Sequence, residues 1–246
     1  MSEESSTVSH LSVVMTTTED DETQTAGEKS WAIVHFYVVW AVVVIGVVGT
    51  AGNGLILYAL VASKQHKKHV LIVNQNALDL FSCFFLIVGY PVQLRDNQFD
   101  GAAGHWLCIT LVSEIFVWWG LVGSVVNLAF ITIHRYLKVV HHAWSKKRLR
   151  PWMTNAAVAL AWLVGIVSNT PYMLETSGVV DGACYTWVLY QSNVDRIFSL
   201  VFYIVAFYLI ILVIFIYCYG RILVVIRRQA RVMASHGAAE SSLRDA

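Results

Sequence analysis

Apolar residues run almost unbroken through five stretches of the chain, at about 31–61, 70–94, 106–137, 152–174 and 197–226, with short polar segments between them. Each exceeds the roughly 20 apolar residues that carry a helix across a hydrocarbon core of about 30 Å. No water reaches that core, so the backbone must satisfy its own N–H and C=O groups, as an α-helix does within one segment. The pattern predicts an all-α, integral membrane helical bundle with five transmembrane helices and the lipid bilayer as its solvent. Composition agrees: 57% of residues are hydrophobic and 13% charged, where a soluble domain carries about 25% charged residues.

A net charge of +1 conceals two polarised faces. Lys64, Lys67 and Lys68 follow the first stretch; Lys138, Lys146, Lys147, Arg148 and Arg150 follow the third; Arg227, Arg228 and Arg231 follow the fifth. The opposite loops hold Lys29, Arg95 and Arg196 and most of the acids. Basic loops stay in the cytoplasm, which predicts an extracellular N-terminus. Residues 1–29 are acidic and Ser/Thr-rich. They lack the apolar area to offset ordering and are expected to be disordered, and the first span to serve as its own insertion signal. The membrane domain then covers 30–231, and 232–246 forms a cytoplasmic tail or the start of an inner loop.

Polar side chains within the spans are costly and mark function or interhelical bonding. Asp79 lies deep in the second span and Asn53 in the first. A carboxylate at that depth needs hydrogen-bond donors, a cation or a proton; Asn53 and Ser124 are candidate partners. Glu114, near the outer end of the third span, either lines an outer cavity, is hydrated, or pairs with Arg95 or Arg196. Arg135, at the inner end, can reach the lipid headgroups. Cys83 and Cys218 fall inside spans as small hydrophobes, whereas Cys108 and Cys184 both face the oxidising side, where a disulfide is chemically allowed. No metal-ligand spacing or nucleophile motif supports an enzyme, and nothing points to a nucleic acid.

These landmarks, taken in order, resemble the rhodopsin-like (class A) G-protein-coupled receptors. Gly52-Asn53 is similar to the family's first-helix signature and Ala77-Leu78-Asp79-Leu80 to its second-helix motif. Cys108 followed by Ser124 and His134-Arg135-Tyr136 resembles the third helix, Trp162 the fourth, Cys184 the loop cysteine, and Tyr219 the fifth-helix tyrosine. The resemblance covers about 31–231. It implies a Cys108–Cys184 disulfide and a coupling switch at His134, Arg135, Tyr136 and Tyr219. It also implies a polar network at Asn53, Asp79 and Ser124, with an allosteric sodium ion at Asp79 and Ser124 and no other cofactor. Glu114, Val117, Trp118 and Leu121 become ligand-binding candidates. The implied partners are a heterotrimeric G protein and an extracellular ligand, with a peptide as its class; the implied location is the plasma membrane.

Several positions depart from the family. His134 replaces the acid that usually precedes Arg135, so a neighbouring ion pair is unavailable. Ile211 stands at the usual fifth-helix proline. Val117 replaces the acid that amine receptors use, which argues against a biogenic amine. Arg135 follows Cys108 by 27 residues, slightly more than the family's usual spacing. Nothing resembles the sixth and seventh helices, so a C-terminally incomplete receptor, with five of seven helices, is expected. The alternatives are a five-helix, non-signalling partner of full-length receptors, or a transporter or channel subunit, for which no inverted repeat is visible.

Overall fold

The computed structural model describes residues 3–93, 99–186 and 193–244. Among the described residues, seven helices and one hairpin follow in order: α1 (Glu3–Ala62), α2 (Val70–Gln93), α3 (Gly101–Leu107), a π-turn (Cys108–Val112), α4 (Ile115–Val140), α5 (His142–Arg148), α6 (Pro151–Thr176), β1 (Gly178–Val180), β2 (Ala183–Tyr185) and α7 (Asn193–Arg244). Five segments among the described residues are long and apolar enough to cross a membrane: Trp31–Ala62, Val70–Val92, Gly101–Val140, Pro151–Thr176 and Phe207–Ala234. The chain is a multi-pass membrane helical bundle.

α4 lies at the centre and packs against α2, α6 and α7, while α1 packs on α2. Its inward face carries small and polar residues, with Gly120, Gly123, Ser124, Asn127 and Thr132 buried. The outward faces carry large apolar side chains instead: Val48 on α1 is 66% exposed and Ile216 on α7 66% exposed. In water such surfaces would aggregate; against lipid tails they are matched to their solvent. Aromatic rings fill the space between α2, α4 and α6, with Phe81 5.4 Å from Trp162 and Phe85 4.5 Å from Phe116.

Two elements differ from the hydropathy reading. Helix α1 extends back to Glu3 through the segment expected to be disordered. Once the span has formed, lengthening a helix adds a hydrogen bond for each residue fixed and escapes the cost of nucleation. The third span, expected as one helix over 106–137, is interrupted. Ser113 donates its N–H to the Cys108 carbonyl at 3.0 Å, and Glu114 then adopts a left-handed conformation with φ 61° and ψ 23°. The helix restarts there, because the Glu114 carbonyl accepts the first bond of α4 from Trp118 at 3.0 Å. A turn closed over five residues holds more chain than an α-turn. The interruption therefore accommodates the added length between Cys108 and Arg135.

The hairpin after α6 turns at Asp181 and Gly182, both with positive φ (51° and 76°). Asp-Gly favours this two-residue turn, since the pair tolerates the left-handed region that matches strand twist. Register places Cys184 opposite Val179.

Candidate functional site

Every position singled out from the sequence as a site residue lies within the described part of the chain, but the side chains fall into three groups. At the outer end, Cys108 is buried at the head of the π-turn and bonds to Cys184 of β2, with Cα atoms 5.5 Å apart. Phe99 donates its N–H to the Gly182 carbonyl at 2.8 Å, which fastens the hairpin tip to the segment before α3. Glu114, Val117, Trp118 and Leu121 recur at helical spacing and so share one face of the outer part of α4. Glu114 is half-buried and hydrogen-bonded to the Tyr90 hydroxyl of α2. Val117 and Trp118 are half-buried and Leu121 exposed. Of the cations considered for Glu114, Arg95 lies outside the described residues, as does the side chain of Arg196.

The middle of the bundle holds a continuous chain of hydrogen bonds. Trp162 of α6 donates its indole N–H to Asn74 Oδ1 at 2.9 Å. Asn74 Nδ2 donates to Asn127 Oδ1 at 3.0 Å. Asn127 Nδ2 donates to Gln75 Oε1 and to the Leu71 carbonyl, each at 2.9 Å. Gln75 Nε2 donates to Ser124 Oγ and to both Asp79 oxygens, at 3.4 and 3.2 Å. Ser124 in turn donates to Asp79 Oδ1 at 2.6 Å.

The direction of this chain is fixed at its indole end. An indole can only donate, so each amide turns its oxygen toward Trp162 and its NH2 group toward Asp79. A single flipped amide would set two donors or two acceptors against each other. Of the partners expected for Asp79, Ser124 is in contact, whereas Asn53 donates to the Gly49 carbonyl of its own helix at 2.9 Å. Sequence reasoning missed Gln75 and Asn127 as members. The signal was present as polar side chains inside otherwise apolar spans, but their pairing depends on the register between helices.

Asn127 sits at the middle of the relay with three bonds. Interhelical hydrogen bonds in membranes contribute roughly 0.6 kcal/mol each, so Asn127→Leu is expected to lower stability by about 2 kcal/mol. Thermal unfolding in detergent measures this; a variant melting with the parent would remove the relay as a stabilising feature.

At the inner end, the Tyr136 ring packs against that of Tyr217 on α7, with centroids 5.9 Å apart. Its hydroxyl is 3.3 Å from His141 Nε2. His134 is half-buried and Arg135 exposed. Tyr219 is 41% exposed beside Phe215, about 200° around α7 from Tyr217. The structure thus joins α4 to α7 through Tyr136 and Tyr217, a pair the sequence did not single out.

Comparison with known proteins resolves what kind of bundle this is. The family described as 7 transmembrane receptor (rhodopsin family) matches residues 52–244. The chain belongs to this family. The receptor is 28% identical over 212 residues to melanopsin-A of Gadus morhua, covering 80% of this chain and 35% of that protein. It is 26% identical over 190 residues to melatonin receptor type 1B of Homo sapiens, covering 75% of this chain and 51% of that protein. It spans about a third and about half the lengths of these two relatives. Membership of a receptor family settles that the chain is not an enzyme, and the Cys108–Cys184 disulfide that the resemblance implied is formed.

Proposed function

We propose that the receptor carries an extracellular ligand signal to a heterotrimeric G protein through a conformational switch, at the plasma membrane and with its N-terminus outside. The observation that carries this reading is the inner contact between α4 and α7. Tyr136 meets Tyr217 there while the adjacent Arg135 stays exposed. Sliding or rotating one helix against the other would change the surface that a cytoplasmic partner meets, and a ligand drives such a change through its differential affinity for the two states.

Orientation has two independent supports. The disulfide requires an oxidising compartment, and successive spans alternate in direction, so Cys108 stands at the end where α1 enters the membrane. The Lys- and Arg-rich segments lie at the other end.

A peptide is the ligand class we favour, because the disulfide ties the hairpin to the π-turn that immediately precedes Glu114, Val117, Trp118 and Leu121, which would give an extended outer surface. A second reading follows from the human relative, which is named a melatonin receptor: a small molecule of that kind, compatible with the uncharged Val117. Binding of radiolabelled melatonin to receptor membranes separates the two.

The coupling role is tested by nucleotide exchange. Membranes carrying the receptor should raise GTPγS binding by added G protein, and Arg135→Ala should return it to the level of empty membranes at equal surface expression. Equal exchange by variant and parent would reject the role of Arg135. A parent no better than empty membranes would favour a non-signalling partner of other receptors.

A further inference from the structure

We infer that the Asp79 site binds no monovalent cation, because the side-chain amide of Gln75 takes the cation's place. The family resemblance implies a sodium ion at Asp79 and Ser124; the residues present do not fit one. A hard cation takes oxygen ligands. Here the group lying between both Asp79 oxygens and Ser124 Oγ is a nitrogen donor, Gln75 Nε2. One of its hydrogens is directed at the carboxylate and the other at Ser124, while the Ser124 hydroxyl hydrogen goes to Asp79. The partial positive charge that a carboxylate needs in a low-dielectric interior is therefore supplied by the chain itself.

Turning the amide over would offer a cation the Gln75 oxygen, but that route is closed. Gln75 Oε1 is held by Asn127, whose own oxygen is held by Asn74, whose oxygen is held by the donor-only indole of Trp162. A flip would set Gln75 Nε2 against Asn127 Nδ2, two donors face to face. The relay thus locks the donor end of Gln75 onto Asp79 from the far side of the bundle. Gln75 is the specificity-determining residue of the site: it substitutes an amide for an ion and leaves the carboxylate insensitive to the sodium gradient. This inference stands apart from the coupling reading and survives if that reading fails.

The test is thermal unfolding of the full chain in lipid nanodiscs, titrated with NaCl to roughly 300 mM while choline chloride keeps ionic strength constant. The parent is expected to melt at the same temperature throughout. Gln75→Leu removes the donor and opens the oxygens, and should gain a saturable, sodium-specific rise of about 3 °C. Gln75→Met, closer in shape, serves the same purpose if the leucine variant does not fold. A sodium-specific rise in the parent would overturn the proposal by itself. So would a folded Gln75 variant that stays indifferent to sodium, because the amide would then not be what excludes the ion.

Discussion

Cys184→Ser and Cys108→Ser, each alone, are expected to abolish most delivery of the receptor to the cell surface. The bridge joins the π-turn at the head of the third span to a hairpin whose strands are three residues long. A two-stranded hairpin of that size is marginal on its own. Without the bond, the hairpin keeps the Phe99 N–H on Gly182, contacts of its short strands with α3 and the π-turn, and its continuity with α6. The two cysteines are 76 residues apart; for such a loop, chain entropy gives at most about 4.5 kcal/mol. Helices already inserted in a bilayer retain structure when the bundle comes apart, which lowers that figure. Even about 2 kcal/mol would shift the folded-to-unfolded ratio roughly 30-fold. Surface labelling of epitope-tagged protein reads the effect, with Cys218→Ala as the control that removes a thiol without a bridge. Normal surface levels for both serine variants would show that the hairpin holds its place without the disulfide.

Much of the fold was legible because hydropathy responds to length and solvent, and a membrane enforces both. The second stretch, 70–94 by composition, is the helix Val70–Gln93, and the fourth, 152–174, is Pro151–Thr176. Hydropathy is blind to how a helix closes its hydrogen bonds. Cys108-Ile109-Thr110-Leu111-Val112 is as apolar in a π-turn as in an α-helix, so the break at Glu114 left no trace beyond the long interval to Arg135. The hairpin did leave one: Asp181-Gly182 is a strong two-residue turn signal.

Asp79 and Ser124 stood out as a polar pair in apolar surroundings, and they meet. Gln75 and Asn127 did not, because a polar residue in a span declares only that it needs a partner. Which partner it finds depends on helix rotation to within a fraction of a turn. Tyr136 shows the same limit, since its contact with Tyr217 in place of Tyr219 rests on the rotation of α7 by two residues.

What sets that rotation is the close approach of α4 to its neighbours, and Gly165→Val is expected to be the most damaging single change in the core. A Cβ at Gly165 would sit on the Trp119 carbonyl oxygen, 3.2 Å from its carbonyl carbon and 3.3 Å from the Gly123 nitrogen. These are backbone atoms, so no rotamer change relieves the clash. On the other side of α4, a Cβ at Gly120 would come within 2.9 Å of the Leu78 carbonyl oxygen. The helix is therefore gripped from both sides at contact distance, the arrangement that small residues make possible in membranes.

Overpacking in a tight core costs about 1–3 kcal/mol where side chains can give way; here whole helices must separate. Trp162 lies one turn from Gly165 on α6, so that separation also draws the indole away from Asn74 and releases the relay that locks Gln75. We expect more than about 3 kcal/mol lost, read as failure to recover monodisperse protein from detergent, with Gly165→Ala intermediate. Gly52 supplies the contrast, because nothing lies within 4 Å of a Cβ there and Gly52→Ala should leave recovery unchanged. Equal losses at Gly52 and Gly165 would mean that helix propensity or insertion, and not the contact between α4 and α6, governs the outcome.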